Sequence, residues 1–302
     1  MSDGPLHDRS TPQGAPPLGA EAVVSMMRQV GRLAARVEFE RSFKLTSGRL
    51  SSDRFLLGVR RTLGTNAADD AIVALCHTIG MPSDLLLAFE AALCDANHVY
   101  FGAERDGPSL TFKAYLEFRD TIAKQEADGP GRSQAGELYT GYKWDPSNPS
   151  RHAVTHYDWL AQLSPDEIRQ RVQGVVGGDV QAGLGAVTAS IVARALETLT
   201  PQSIQFLEVH EEGNPRRSFD INVYKVGARL VDWLPALHLA REHFAVPAEA
   251  FDVLFRRIGS ERVGHLAAGV DRHERDFLTI YYGGTAIGGD RLAQATLAGT
   301  AL

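Results

Sequence analysis

The segments "FKAYL", "VTHYD", "INVYK" and "LTIYY" share one arrangement, a polar residue two places before a tyrosine. Side chains of an extended chain alternate between faces, so each pair lies on one face. The pairs are Lys113 with Tyr115, Thr155 with Tyr157, Asn222 with Tyr224, and Thr279 with Tyr281. The opposite face carries Phe112, Ala114, Val154, Ile221, Val223, Leu278 and Ile280, with His156 as the exception. A sheet of such strands has an apolar face to cover. Its phenolic face is either a solvent face or the lining of a closed cylinder.

Each segment closes an expected hairpin, with turn chemistry before it. "HVYFGAE" and "LTFKAYLEF" flank "RDGPS", and "ELYTGYKWD" and "AVTHYDW" flank "PSNPSRH". "SIQFLEVHE" and "RSFDINVYKV" flank "EGNPR", and "VGHLAAGVD" and "DFLTIYYGG" flank "RHER". A fifth pair, "VEFERSFKL" and "SSDRFLLGVRR", surrounds "TSGR". Helical spacing or a helix-start signal marks Glu21–Ala35, Asn66–Ile79, Ser83–Asp95 with Ser83 at the N-cap, Ser164–Val176, Val187–Leu199, Leu230–Phe244 and Pro247–Ile258. Lys124 to Gly136 reads as a loop, and the Gly-rich tail after Gly284 has no assigned element.

Antiparallel pairs with helices between them are not the βαβ alternation of a Rossmann sheet. "GVVGGDVQAGLG" has no strand before it and no Lys-Ser/Thr after it, which argues against a phosphate loop. The expected fold class is α+β: an antiparallel barrel of about ten strands, roomier inside than one of about eight, with helices over its apolar outer face.

A chain of 302 residues suits one such barrel, read as a single domain over 21–302 after a flexible leader over 1–20. The leader lacks the apolar run of a signal peptide, and no stretch approaches the length of a membrane span, so a cytoplasmic location is expected. The formal charge of −6 argues against nucleic acid as a partner, though a local basic cluster can still hold one small anion. Cys76 and Cys94 sit in helix-like apolar segments and read as buried free thiols. The pairs His152/His156 and His238/His243 lack metal-site spacing, Asp69-Asp70 is no Asp-rich metal motif, and no Gly-x-Ser-x-Gly elbow occurs.

The αββα order, the hairpins closing in a Lys-x-Tyr-like step and the missing Asp-rich motif resemble the ABBA prenyltransferases. Among them the chain is most similar to the cyanobactin branch, which modifies ribosomal peptides. "FERSFKLTSGRLSSDRFLLG" looks like that branch's first strand pair, with a Glu, then Ser-x-Lys, then Arg-Phe-Leu-Leu. The resemblance covers Glu38 to Phe118 and, less fully, Ile204 to Tyr224 and Val263 to Tyr282. It is poor between Ile122 and Thr200, and only "FKAY" keeps the lysine.

The resemblance implies a ten-stranded antiparallel barrel with a solvent-filled interior and an outer ring of helices. It implies transfer of a dimethylallyl or geranyl group from its diphosphate to a peptide side chain or aromatic acceptor. Glu40 matches the catalytic carboxylate, Arg54 and Lys113 match diphosphate ligands, and Tyr115, Tyr157, Tyr224 and Tyr281 match the aromatic shield of the allylic cation. Lys143 is added as a third diphosphate ligand from its place on an inward-facing strand. Magnesium, where used, would arrive with the diphosphate, and no protein-bound metal is expected. Read without the resemblance, Glu40 also fits a solvated charged face, Arg54 an ion pair with Asp53, and Lys143 a snorkelling side chain. Two rival functions are a noncatalytic barrel for a small anionic or aromatic ligand and an interaction scaffold with exposed tyrosines.

Overall fold

The five expected hairpins all form, and their strands join into one antiparallel sheet that closes between its first and last members. The structure, a computed structural model, describes residues 20–61, 66–127, 135–177, 183–200 and 204–295. Its strands are β1 (Arg36–Thr46), β2 (Arg49–Ser51), β3 (Arg54–Arg60), β4 (His98–Asp106), β5 (Ser109–Glu117) and β6 (Ala135–Asp145). β7 (Asn148–Leu160), β8 (Gln205–Glu211), β9 (Arg217–Asn222), β10 (Val263–Val270) and β11 (Asp276–Gly288) complete the wall. β2 and β3 pair with successive parts of β1 and form one stave interrupted at Ser52 and Asp53. Eleven segments therefore make ten staves, as expected.

The described helices are α1 (Ala20–Leu33), α2 (Asn66–Thr78), α3 (Ser83–Leu93), α4 (Arg119–Ala127), α5 (Pro165–Val176), α6 (Gly183–Thr198), α7 (Leu234–His243), α8 (Ala248–Ile258) and α9 (Gly289–Ala295). They cover the apolar outer face in two groups. Met26, Val30, Leu75 and Phe89 of α1 to α3 pack on Leu57, Phe101, Phe112 and Trp144. Ile168, Val187, Leu237 and Phe251 of α5 to α8 pack on Phe206, Phe219, Leu266 and Ile280. Burying this face is what holds the wall closed. Every tight hairpin turn lies at one end of the barrel, and every helical connection lies at the other. Among the described residues no helix is long and apolar enough to cross a membrane.

Several expectations change. Ser83 is the first helical residue and not the cap; Pro82 takes the cap position without a side-chain bond. Ser164 does cap α5, in a reciprocal pair with Glu167. The expected loop from Lys124 begins inside α4, whose sequence RDTIAKQEA has too few apolar residues to show a period; residues 128–134 lie outside the described set. The tail beyond Gly284 continues β11 and then forms α9. α9 fits there because a Cβ on Gly31 of α1 would come within 2.6 Å of the Gly289 carbonyl. β9 ends at Asn222, and Tyr224 opens a 3₁₀ turn over Tyr224–Val226. Cys76 is buried as expected, but Cys94 is exposed. Residues 1–19 of the leader and 178–182 of the glycine-rich segment are outside the described set, while Ala20 belongs to α1.

Candidate active site

Strand alternation sends Lys113, Tyr115, Thr155, Tyr157, Thr279 and Tyr281 inward, while Phe112, Ala114, Leu278 and Ile280 join the outer cores. The interior holds two adjoining cavities of about 440 and about 480 Å³. Tyr115, Tyr157, Tyr281 and Asp220 line both and form the waist between them.

The cavity at the hairpin end is cationic. Lys44, Arg54, Lys113, Lys143, Arg216 and Arg272 all line it. Arg54 and Lys113 both bond Glu104. Glu211, fully buried, faces Lys143 at 3.8 Å, Arg216 at 3.2 Å and Arg272 at 2.6 Å. Two carboxylates thus hold five of the six cations. Lys44 has no carboxylate partner among the described residues and stands 4.9 Å from the Phe277 ring centroid. Arg216 buries its Nε without a hydrogen-bond partner. Asp271 and Asp145 also line this cavity, but each is engaged by an arginine outside the six, Arg275 at 2.9 Å and Arg151 at 3.5 Å.

Lys113 and Lys143 are cross-strand partners, each 12% exposed. Like charges placed opposite one another on one sheet face repel. Burial, reinforced by neighbouring cations, pulls Lys44 and Lys113 down to about 8 and Lys143 well below the usual lysine range. Burial alone would raise Glu104, but the charges of Arg54, Lys113 and Lys44 hold it well below the carboxylate range. A pocket with this surplus of cations is built for an anion of several charges.

At the waist and above it the rings meet edge to face. Tyr115 and Tyr157 are 5.9 Å apart, Tyr157 and Tyr139 6.1 Å, and Tyr139 and Tyr100 6.2 Å. Glycines let two of these rings lie flat on the wall. A Cβ on Gly141, opposite Tyr115 in register, would come within 2.7 Å of that ring, and one on Gly58 within 2.7 Å of Tyr100. Burial is the main cause that pushes the phenols of Tyr115, Tyr157 and Tyr281 above their ordinary value, so they stay neutral.

The cavity at the helical end is lined by Glu38, Glu40, Asp220, His265, Tyr100, Tyr139 and Tyr224. Tyr224 donates its phenol to Glu40 Oε1. A Cβ on Gly264 or Gly284 would strike the Tyr224 ring, so both positions need glycine. Burial raises the Glu40 carboxyl above its ordinary value, against the charge of His265 and the Tyr224 bond. His265 Nδ1 pairs with Asp220 Oδ1 at 2.8 Å.

All the residues singled out in the sequence thus line one chamber, but at different levels. Arg54, Lys113 and Lys143 are in the cationic cavity, Tyr115, Tyr157 and Tyr281 at the waist, and Glu40 above it. Tyr224 stands apart from the waist, beside Glu40. Arg54 pairs with Glu104 and not with Asp53, which meets Arg105 at 3.3 Å. The sequence reading missed Lys44, Glu104, Arg216, Glu211, Arg272, Asp220 and His265. Lys44 was legible, since Glu40, Ser42 and Lys44 alternate along β1. Arg216 and Arg272 sit in hairpin turns, where charge ordinarily means solvent.

Among the described residues no group of His, Cys, Asp and Glu could hold a metal ion. No protein-family model matches the chain, and no curated protein sequence does. Solved structures do. The 5-dimethylallyltryptophan synthase from Streptomyces coelicolor is 13% identical, with a TM-score of 0.55 over 86% of this chain and 96% of that one. PriB in binary complex with product diphosphate is 15% identical, with a TM-score of 0.53 over 82% and 79%. The 6-dimethylallyltryptophan synthase from Micromonospora olivasterospora, in complex with DMASPP and Trp, is 11% identical, with a TM-score of 0.53 over 81% of each. At these identities the likeness is one of fold. The chain has the ABBA barrel.

Proposed function

We propose that this protein is a prenyltransferase, moving a dimethylallyl or geranyl group from its diphosphate to an electron-rich aromatic acceptor. The observation that carries this reading is the division of the chamber: a cationic cavity below a tyrosine waist, and a buried carboxylate above it. A prenyl diphosphate spanning the waist would put its diphosphate among Lys44, Arg54, Lys113, Lys143, Arg216 and Arg272. Its allylic carbon would then lie beside Tyr115, Tyr157 and Tyr281.

As the carbon–oxygen bond breaks, its electron pair goes to the diphosphate, and preorganised cations stabilise that gain of charge. Each tyrosine face that meets the allylic cation contributes about 0.5–2 kcal/mol. The rings also keep out water, which would trap the cation as an alcohol. The acceptor supplies the electron pair of the new bond, and Glu40 takes the proton it loses, a contribution of about 10²–10⁴-fold. Tyr224 orients Glu40.

One of the solved structures with this fold, a 6-dimethylallyltryptophan synthase, is in complex with DMASPP and Trp, which favours an indole acceptor here, free or as a side chain of a ribosomal, cyanobactin-like peptide. We place the activity in the cytoplasm and in one barrel domain over 21–302, as the sequence expects. The test is mass spectrometry after incubation with dimethylallyl or geranyl diphosphate and either tryptophan or tryptophan-containing peptides. A prenyl adduct that Glu40→Gln abolishes supports the reading. Binding of the donor with no adduct on any aromatic acceptor would leave a noncatalytic barrel in its place.

A further inference from the structure

Glu40 is the one carboxylate lining the helical-end cavity that forms no ion pair among the described residues: Glu38 faces His98 at 3.7 Å, and Asp220 faces His265 at 2.8 Å. Buried and hydrogen-bonded to a phenol alone, a carboxyl group tends to keep its proton. A protonated Glu40 is no base.

The geometry beside it offers a remedy. A bulge in β10 between Val263 and Leu266 contains Gly264 and His265. There the His265 ring meets Tyr224 edge-on at 5.6 Å, and Tyr224 in turn bonds Glu40. Gly264 brings the two groups together, since a Cβ there would come within 2.6 Å of Glu40 Oε1. From β9, Asp220 takes Nδ1; from β11, Tyr281 packs edge-on at 5.9 Å. Asn222 works the other way. Its carboxamide oxygen accepts from the Tyr224 amide at 3.1 Å, which turns its NH₂ toward His265 Nε2 at 3.3 Å and disfavours a proton there. Burial also opposes the charge, but Asp220 and Glu40 outweigh it and lift His265 to about 9.

We infer that His265, gripped by Asp220, is a positioning residue that keeps Glu40 ionised in a pocket that would otherwise protonate it. Glu40's role as the base rests on the transfer reading above; its charge state does not. The charge of His265 is the largest influence opposing the burial of Glu40. Removing that charge lets the carboxyl rise further, so the ionised fraction at neutral pH falls and returns as the pH is raised. Each unit of rise lowers that fraction about tenfold wherever the pH lies below the original value.

Two measurements test this. The first is the pH profile of kcat/KM for prenyl transfer in the wild type, His265→Gln and His265→Lys. His265→Gln should move the acidic limb up by about one unit, losing about tenfold at pH values below the wild-type limb and less at neutral pH, and recovering in alkali, and His265→Lys should restore the limb. The second is infrared detection of protonated carboxyl groups without substrate. A band that Glu40→Gln removes should appear at neutral pH in His265→Gln and not in the wild type. Inorganic pyrophosphate binding checks that the variants are folded. Should His265→Gln fail to fold, Asp220→Asn, which loosens the hold on the imidazolium proton, should give the band more weakly, because the Asp220 charge that raises Glu40 goes with it. A uniform loss of rate with an unmoved limb, or no new band, overturns the inference. Absence of transfer by the wild type sinks the catalytic reading alone, because the infrared arm reads the Glu40 proton without turnover.

Discussion

Lys113 shows how far a single residue can be read. A lysine in an apolar, aromatic strand needs solvent or an anion, and at 12% exposure it has little of the first. Its carboxylate, Glu104, is shared with Arg54. With Lys44 and Lys113 at about 8 in the ligand-free chamber, an arriving anion favours their charged forms and raises both values. Diphosphate binding should therefore take up protons near pH 8 and weaken as the pH rises through that range. Calorimetry in buffers of different ionisation enthalpy checks this; a buffer-independent heat at pH 8 would contradict it. Glu104→Gln should act in the opposite sense on the empty protein, leaving Arg54 and Lys113 facing each other unpaired. We expect a loss of about 3 kcal/mol, the low end for a broken buried pair, because the pair lines an open cavity. Added pyrophosphate should raise the melting temperature of this variant more than that of the wild type.

Elements decide whether such residues meet. The period of two made the inward faces of β5, β7 and β11 legible, because tyrosines and polar residues alternate there with core residues. It failed at Tyr224, where the same spacing in "INVYK" belongs to a strand end and a 3₁₀ turn. Nothing local distinguishes the two; the glycines that seat Tyr224, Gly264 and Gly284, come from β10 and β11. The same physics makes Gly141 a sensitive position on β6. Gly141→Ala puts a methyl within 2.7 Å of the Tyr115 ring and must shift that ring off the wall. Overpacking of this kind costs about 1–3 kcal/mol. On the transfer reading it also opens the waist to water, so the share of donor lost as prenyl alcohol should rise while diphosphate binding holds. Product analysis by gas chromatography checks the ratio, and an unchanged ratio would remove Tyr115 from the shield.

At the scale of the molecule, a chain with a formal charge of −6 gathers six cations inside one end of its barrel. Topology makes this possible. All the tight turns fall at that end, so Arg216 and Arg272, which look like solvated turn residues in the sequence, reach into the chamber from neighbouring hairpins. Glu104 and Glu211 offset two of the six side chains, leaving a surplus of about four once a bound anion favours the charged lysines, comparable to the charge of a diphosphate. Such a pocket can neutralise the leaving group with side chains alone, without magnesium to bridge its oxygens. Transfer should thus persist when divalent ions are chelated, at a rate within about threefold of that with magnesium added. Removing a side-chain cation should change this: in Lys113→Ala, with one charge fewer, magnesium should restore a larger share of the rate than it adds in the wild type. Rate measurements with and without a chelator on both proteins decide the matter. Complete loss of wild-type transfer on chelation would mean that the buried cations hold the diphosphate but do not suffice to release it.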